Sequence, residues 1–187
     1  MDHFTRFGLP RRLEVDRAGL ERAYRRQSFR LHPDLLAAAP PEERQEAQQA
    51  AADLNAAYRV LADDTERAAY LLGLLVAEAR AAGRLVPGAT LHTEALPPGF
   101  LQEMFGLQEE VDEAGDAAAL AALQGPVQAR RAATLTERVR LFAQAASHGD
   151  AAALQAIQSN LNQEKYLLRL LERLRPTPAP SSMTATP

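Results

Sequence analysis

Apolar positions along this chain recur at the three- and four-residue steps of a helix. Residues 2–8 predict one short helix, with Phe4 and Phe7 turned inward and Gly8 and Pro10 ending it. The next pattern runs from about Asp16, the expected N-cap, to Leu31, and places Leu20, Ala23, Tyr24 and Leu31 on one face. Pro33 has no N–H and restricts His32 to extended geometry, so the helix is expected to stop there. A third pattern spans about Pro41 to Ala62. Pro41 suits a first helical position, and Glu42 and Glu43 suit a positive N-terminal end. Ala47, Ala50, Ala51, Leu54, Ala57, Tyr58 and Leu61 form its inward face. The two long patterns can pair as an antiparallel hairpin with residues 30–34 at its tip.

Asp63, Asp64 and Thr65 then break the chain, and Asp64 or Thr65 is the expected cap of a helix that includes Tyr70 to Leu75. Leu71, Leu72, Leu74 and Leu75 are too many apolar side chains for one hairpin, so the surplus is expected to face the second half of the chain. Gly83, Pro87, Gly88, Pro97, Pro98 and Gly99 mark residues 83–99 as a linker, expected to be a bent joint with a packed interface. Beyond it Phe100, Met104, Leu107, Val111 and Ala114 form one stripe, and Leu101, Phe105, Glu109 and Glu113 form a second further round the same helix. Gly115 and Asp116 end this helix and start another. Gly125 and Pro126 predict a kink or restart, because proline inside a helix costs ~3 kcal/mol. Apolar spacing resumes at Val127, Leu135, Val139 and Phe142. Gly149 and Asp150 read as a stop and an N-cap, and a last helix carries Leu154, Ile157, Leu161, Leu168 and Leu171. Three antiparallel helices are expected in this second half. The proline-, serine- and threonine-rich residues 175–187 are expected to be disordered.

Composition agrees with an all-α reading. Hydrophobic residues make up 47% of the 187 positions, alanine and leucine foremost, and both are good helix formers. The net charge of −3 argues against a general nucleic-acid binder. The absence of cysteine excludes disulfides, thiolate zinc sites and cysteine-ligated clusters within this chain, and fits a cytoplasmic location. No signal peptide and no membrane-spanning stretch is recognisable. His3, His32, His92 and His148 lie far apart without ligand spacing, so no metal or cofactor is expected. No nucleophile–base set and no glycine-rich phosphate loop suggests an enzyme.

Two polar features remain. Arg22, Arg25 and Arg26, with Arg30 at the margin, make a positive face on the second helix, and that face leads to His32, Pro33 and Asp34 at the tip. Either feature alone has a bland reading: a solvated charged face, and a loop with a helix-stopping proline. Their flanks change the weighing. Leu20, Ala23, Tyr24 and Arg25 precede the tripeptide. Leu54, Asn55, Ala56, Ala57, Tyr58, Val60, Leu61 and Asp63 come after it, and then Glu66 to Tyr70. Three blocks in this order resemble a J-domain, the module that stimulates the ATPase of Hsp70 chaperones. The opening Met1–Pro10 and the apolar Tyr70–Leu75 narrow the resemblance to the HscB-type co-chaperones of iron–sulfur cluster assembly, over most of residues 1–174.

The resemblance implies an L-shaped protein with a J-domain over residues 1–76, a helix end and linker over 77–98, and a three-helix client-binding domain over 99–174. In the family the tripeptide loop docks on an Hsp70. Asp34 would engage a cation there, held in place by His32 and Pro33, while Arg22, Arg25, Arg26 and Arg30 meet an acidic surface. The face corresponding to Leu101, Phe105, Glu109 and Glu113 binds the IscU-like cluster scaffold, joined by an aromatic for which Tyr166 is the best candidate. The bland alternative buries Leu101 and Phe105 in a three-helix core, but carboxylates continuing the stripe do not belong in a core without partners. The chain departs from the family pattern in three places. Gln27 stands where leucine is usual, and Gln102 and Gly106 stand where an apolar residue and an acid are frequent. The expected function is a non-catalytic co-chaperone of an Hsp70 of the HscA or DnaK type, delivering an iron–sulfur scaffold. A J-protein with another client, and a helical oligomerisation or scaffold protein with a vestigial J-domain, stay open as alternatives.

Overall fold

The computed structural model describes residues 1–85, 91–147 and 150–175, apart from the side chain of Ser147. The expected joint at Pro87 and Gly88, His148, the helix stop at Gly149 and the tail from residue 176 lie outside the described residues. All regular structure among those described is helical: α1 (His3–Phe7), α2 (Arg17–Arg30), a 3-10 turn (Pro33–Leu36), α3 (Pro41–Ala62), α4 (Asp64–Ala81), α5 (Phe100–Glu113), α6 (Ala117–Ser147) and α7 (Ala151–Arg173). No described helix is long and apolar enough to cross a membrane. The chain forms two compact units. One is Met1–Leu91 together with Leu141–Ile157, and the other is His92–Arg140 with the residues from Gln158 onward.

In the first unit α2 and α3 pack as the expected pair, with α1 against both and α4 against α3. Leu20, Ala23, Leu54, Ala57 and Leu61 are buried between them. Tyr24 stacks on Tyr58 at a centroid distance of 4.3 Å, and its hydroxyl donates to Asn55 Oδ1 at 2.8 Å. Phe4 and Phe7 are buried as expected. Gly8 ends α1 at φ 67°, a left-handed conformation that costs glycine nothing sterically. Tyr70 holds α1 from the other side. Its ring stacks on His3 at 4.2 Å, and its hydroxyl accepts the His3 N–H at 3.0 Å. Gln27 donates to the Arg6 carbonyl at 2.8 Å. The polar residue in the apolar stripe therefore ties α2 to α1 by a hydrogen bond instead of by packing.

Several caps differ from expectation. Asp16 occupies the N-cap position of α2 in extended geometry, but its side chain makes no capping bond. It instead accepts from Arg22 at 3.4 Å. The cap of α4 is Asp63, one residue before the expected Asp64 or Thr65, and it accepts the N–H groups of Thr65 and Glu66. Asp64 is left to accept from Arg17 and Arg67. Partial burial would raise the Asp64 carboxyl, but those two guanidinium groups outweigh it and hold it below the usual carboxylate range. Arg67 is itself buried and reaches the carbonyls of Leu13 at 2.8 Å and Leu61 at 2.7 Å. It thus fastens the loop before α2 to the end of α3. Of the apolar surplus on α4, Leu71 and Leu72 are buried while Leu74 and Leu75 are half-buried. Leu141, Phe142, Ala145, Leu154 and Ile157, from the tip of the α6–α7 hairpin, are buried residues of this same unit.

The second unit has its core among Phe100, Met104 and Val111 of α5, Val127 of α6, Leu167 and Leu170 of α7, and Leu174 directly after it. Gly125 and Pro126 do not interrupt α6, which continues through them to Ser147. Proline removes one donor and crowds the preceding turn. Here Val127 is anchored in the core beside it, and Gln124 donates to the Leu174 carbonyl, so tertiary packing carries the helix past the defect. Two apolar assignments also move. Val139 and Leu168 are exposed, and the buried row of α7 runs through Leu161, Glu164, Leu167, Leu170 and Leu174.

That row contains a fully buried carboxylate, which hydropathy alone reads as a surface residue. Glu164 Oε1 accepts from Arg131 at 2.9 Å, and Arg138 Nη2 lies 2.6 Å from Oε2. Arg138 is 2% exposed, and its two Nη atoms lack a well-aligned hydrogen bond, so its attraction to Glu164 is mainly that of charge to charge. Its Nε donates to Asn160 Oδ1 at 2.9 Å, and Asn160 donates to the Thr134 carbonyl at 2.9 Å. Next to this network Asn162 donates to the carbonyls of Thr93 and Ala95, pinning the segment ahead of α5 to α7.

Candidate functional site

The hairpin tip is built by a helix stop and a side-chain cap. α2 ends at Arg30, and His32 is extended at φ −67° and ψ 133°, as the following proline requires. Pro33 then opens a 3-10 turn at its first position, where its missing N–H costs nothing. His32 Nδ1 accepts the backbone N–H of Asp34 at 3.2 Å, capping that turn. The Asp34 carboxylate is 89% exposed and lies 3.6 Å from the same nitrogen. The tripeptide thus has divided labour: histidine and proline shape the turn, and the aspartate faces water. Behind it a groove of about 830 Å³ lies between the turn and α3, lined by Leu31, Pro33, Asp34, Leu36, Ala37 and Pro41 among others.

All four arginines of the α2 face are exposed. Arg22 pairs with Asp16, and Arg25 pairs with Glu21 one turn earlier. Arg26 and Arg30, nearest the tip, make no ion pair among the described residues. Their charge is therefore available to a partner. One residue of this face carries no charge: Phe29 is 67% exposed, and Leu35, directly after Asp34, is 56% exposed. Sequence periodicity gave no reason to single them out, because an apolar side chain off the core stripe is common.

On α5 the two stripes separate as the sequence suggested. Phe100 and Met104 are buried and Leu107 is half-buried, whereas Leu101 is 43% and Phe105 62% exposed. Glu109 and Glu113 are exposed and unpaired among the described residues. Tyr166 of α7 meets the edge of Phe100 at 5.9 Å with an interplanar angle of 81°. It is therefore fixed beside α5 while 39% of it stays exposed. Tyr166, Met104, Gln108, Arg169, Leu170 and Arg173 enclose a pocket of about 290 Å³. Arg169 lies over the Tyr166 ring, and Arg173 pairs with Asp112, so the apolar patch is bordered by both signs of charge. Gly106 leaves open space, since a Cβ there would meet no neighbouring group within 4 Å. Among the described residues no group of His, Asp and Glu side chains is placed to hold a metal ion.

Comparison with known proteins places both halves. Residues 2–70 match the DnaJ domain, and residues 96–175 match the HSCB C-terminal oligomerisation domain. The co-chaperone protein HscB homolog of Bordetella petrii is 41% identical over 122 residues, which is 64% of this chain and 65% of that one. Its counterpart in Burkholderia multivorans is 33% identical over 156 residues, covering 83% and 84%. Among solved structures, chaperone HscB from Vibrio cholerae superposes with a TM-score of 0.71 at 30% identity, covering 93% of this chain and 95% of that one. Human co-chaperone protein HscB, at 21% identity and a TM-score of 0.74 over 93% and 80%, shares the fold. The domain pair, the relatives and the fold agree, and the chain belongs to the HscB family of J-domain co-chaperones.

Proposed function

We propose that this chain stimulates ATP hydrolysis by an Hsp70 of the HscA or DnaK type and delivers to it an IscU-like iron–sulfur scaffold. The observation that carries the first half is Asp34. Its carboxylate is held outward by a capped turn, at the end of an arginine row and away from any packing role. A carboxylate so presented suits a bidentate, charge-assisted contact with a cation on the chaperone. The arginines speed the encounter and fix its orientation more than they add affinity. We take residues 1–76 as the motor-contacting J-domain and 99–174 as the client-binding segment. Leu101 and Phe105, with Tyr166 beside them and Glu109 and Glu113 beyond, have the composition of an interface centre with a charged border. Holding client and chaperone on one chain raises their effective concentration while hydrolysis is triggered. The direct test is the turnover of ATP by the organism's Hsp70 with the chain added, with and without the scaffold. A chain that leaves turnover unchanged under both conditions refutes the proposal.

Two variants separate the contacts. Arg26→Glu is expected to raise the concentration needed for half-maximal stimulation, since Arg26 makes no ion pair among the described residues that the change would break. Raised salt should weaken the wild type and narrow the gap between the two proteins. A stimulation that tolerates both the reversal and the salt would make the arginines mere solubilising groups. The second variant replaces Leu101 and Phe105 together by alanine. Buried residues of this size cost ~2–5 kcal/mol each on truncation. These exposed ones are expected to cost less than about 1 kcal/mol together in a urea titration. Scaffold affinity measured by calorimetry should fall at least tenfold, the usual effect of losing central anchors. An unfolded double variant, or one with full affinity, would move the client site elsewhere.

Gln102 and Gly106 favour one second reading, the same motor contact with a different client. The open space at Gly106 and the missing acid alter the centre of the patch. A pull-down in which the IscU-like scaffold is absent while Hsp70 stimulation is intact would select it.

A further inference from the structure

Phe29 lies inside the arginine face, not beside it. Positions 22, 26 and 29 succeed one another at four and three residues, a single row on the helix surface, with Arg25 alongside. The row therefore reads arginine, arginine, phenylalanine, and ends in the last turn of α2, immediately before the tripeptide. The backbone couples the aromatic to that tripeptide. The Phe29 carbonyl accepts the His32 N–H at 3.2 Å, and the His32 carbonyl accepts the Leu35 N–H at 3.0 Å. Two consecutive turns thus place an exposed phenylalanine before the tripeptide and an exposed leucine directly after Asp34. Single exposed apolar residues need no explanation. Two large ones stand on either side of the exposed Asp34 in the chain, and Arg26 and Arg30, which make no ion pair among the described residues, lie in the last turns of the same helix as Phe29.

We propose that Phe29, assisted by Leu35, is an apolar anchor of the chaperone contact. It would seat in an apolar spot bordered by carboxylates on the same Hsp70 surface that receives Asp34. This rests on the motor contact proposed above and adds a component of different physical kind. The arginines act at range and are weakened by salt, whereas burial of an aromatic ring acts only at contact and is not screened. Continuity with the Asp34 contact and the basic border fix the occupant as the chaperone, not a second copy of this chain, whose own copy of the row would carry like charge.

The test is a titration of Hsp70 ATPase by the full-length chain at low and at raised salt, using wild type, Phe29→Ala, Phe29→Leu and Asp34→Asn. Phe29→Ala should raise the half-maximal concentration roughly tenfold or more, by a similar factor at both salt concentrations, with an unchanged thermal midpoint. Phe29→Leu should recover most of the loss, as an apolar contact allows. If Phe29→Ala titrates like wild type while Asp34→Asn is inactive, the anchor is refuted and the motor contact stands. If Asp34→Asn is as active as wild type, the motor contact itself fails and the anchor with it. A sedimentation experiment in which Phe29→Ala dissolves a dimer, with stimulation intact, would assign the patch to self-association and overturn the proposal.

Discussion

Asp34→Asn is expected to abolish stimulation of Hsp70 ATP hydrolysis while leaving the fold untouched. The side chain is 89% exposed, and the turn it belongs to is capped through its backbone N–H by His32, not through its carboxylate. Asparagine keeps the shape, the backbone donor and the 3-10 geometry, and removes only the charge. Hydrogen bonds between ionised partners are roughly twice as strong as neutral ones. The loss therefore falls on the contact with the chaperone and not on this chain. Circular dichroism and the thermal midpoint should match wild type within error, and added variant should give turnover near the unstimulated rate. A folded variant with wild-type stimulation would show that the outward carboxylate is not the group the motor reads.

The largest expected effect on stability is that of Glu164→Ala. Glu164 is wholly buried between Arg131 and Arg138, and Arg138, itself 2% exposed, faces it as its counter-charge. Truncation leaves a buried guanidinium without that partner, which typically costs about 3–5 kcal/mol. Domains of this size are stable by about 5–15 kcal/mol in total, so the urea midpoint should fall far, with little change in slope. Replacing the pair together, Arg138→Met with Glu164→Leu, should recover most of the loss, because the desolvation of both charges is then avoided. A single variant within about 1 kcal/mol of wild type would mean that water reaches the pair. The functional consequence runs through α7. Tyr166 is two residues further on and is held against Phe100, so a helix that shifts when Arg138 loses its partner also displaces the aromatic of the proposed client patch.

The hairpin was legible because its signals are local and agree with one another. Proline at each helix junction, acids at the start of α3 and a sustained apolar face place α3 and the end of α2 where the structure has them. The tripeptide and its two flanking blocks were legible as a pattern, but the structure divides their labour. Tyr24, Asn55, Tyr58, Arg67 and Tyr70 are clamps of the fold, whereas the Asp34 carboxylate is presented outward. What was not legible depends on partners distant in sequence. Pro126 stays helical because Val127 and Gln124 find contacts on α5 and α7. The core row of α7 passes through Glu164 because two arginines on α6 meet it, and this shifts the buried leucines to 167, 170 and 174. The exposed stripe on α5 could be read because its carboxylates broke an otherwise apolar row. Phe29 could not, because nothing in a single sequence distinguishes an aromatic facing water from one facing a core.

The grouping of residues 141–157 with the N-terminal helices bears on how such a protein can be taken apart or recombined. A cut within the linker separates the chain into two covalent pieces, but not into its two compact units. A fragment ending near residue 91 would lack Leu141, Phe142, Ala145, Leu154 and Ile157, all buried members of the unit it is meant to represent. Modular exchange therefore has a hidden boundary condition. A J-domain grafted from a relative must bring, or tolerate, the tip of the α6–α7 hairpin that groups with it. Sequence change at the end of α6 and the start of α7 is then constrained by the half of the protein that precedes it, although the chain order assigns those residues to the other half.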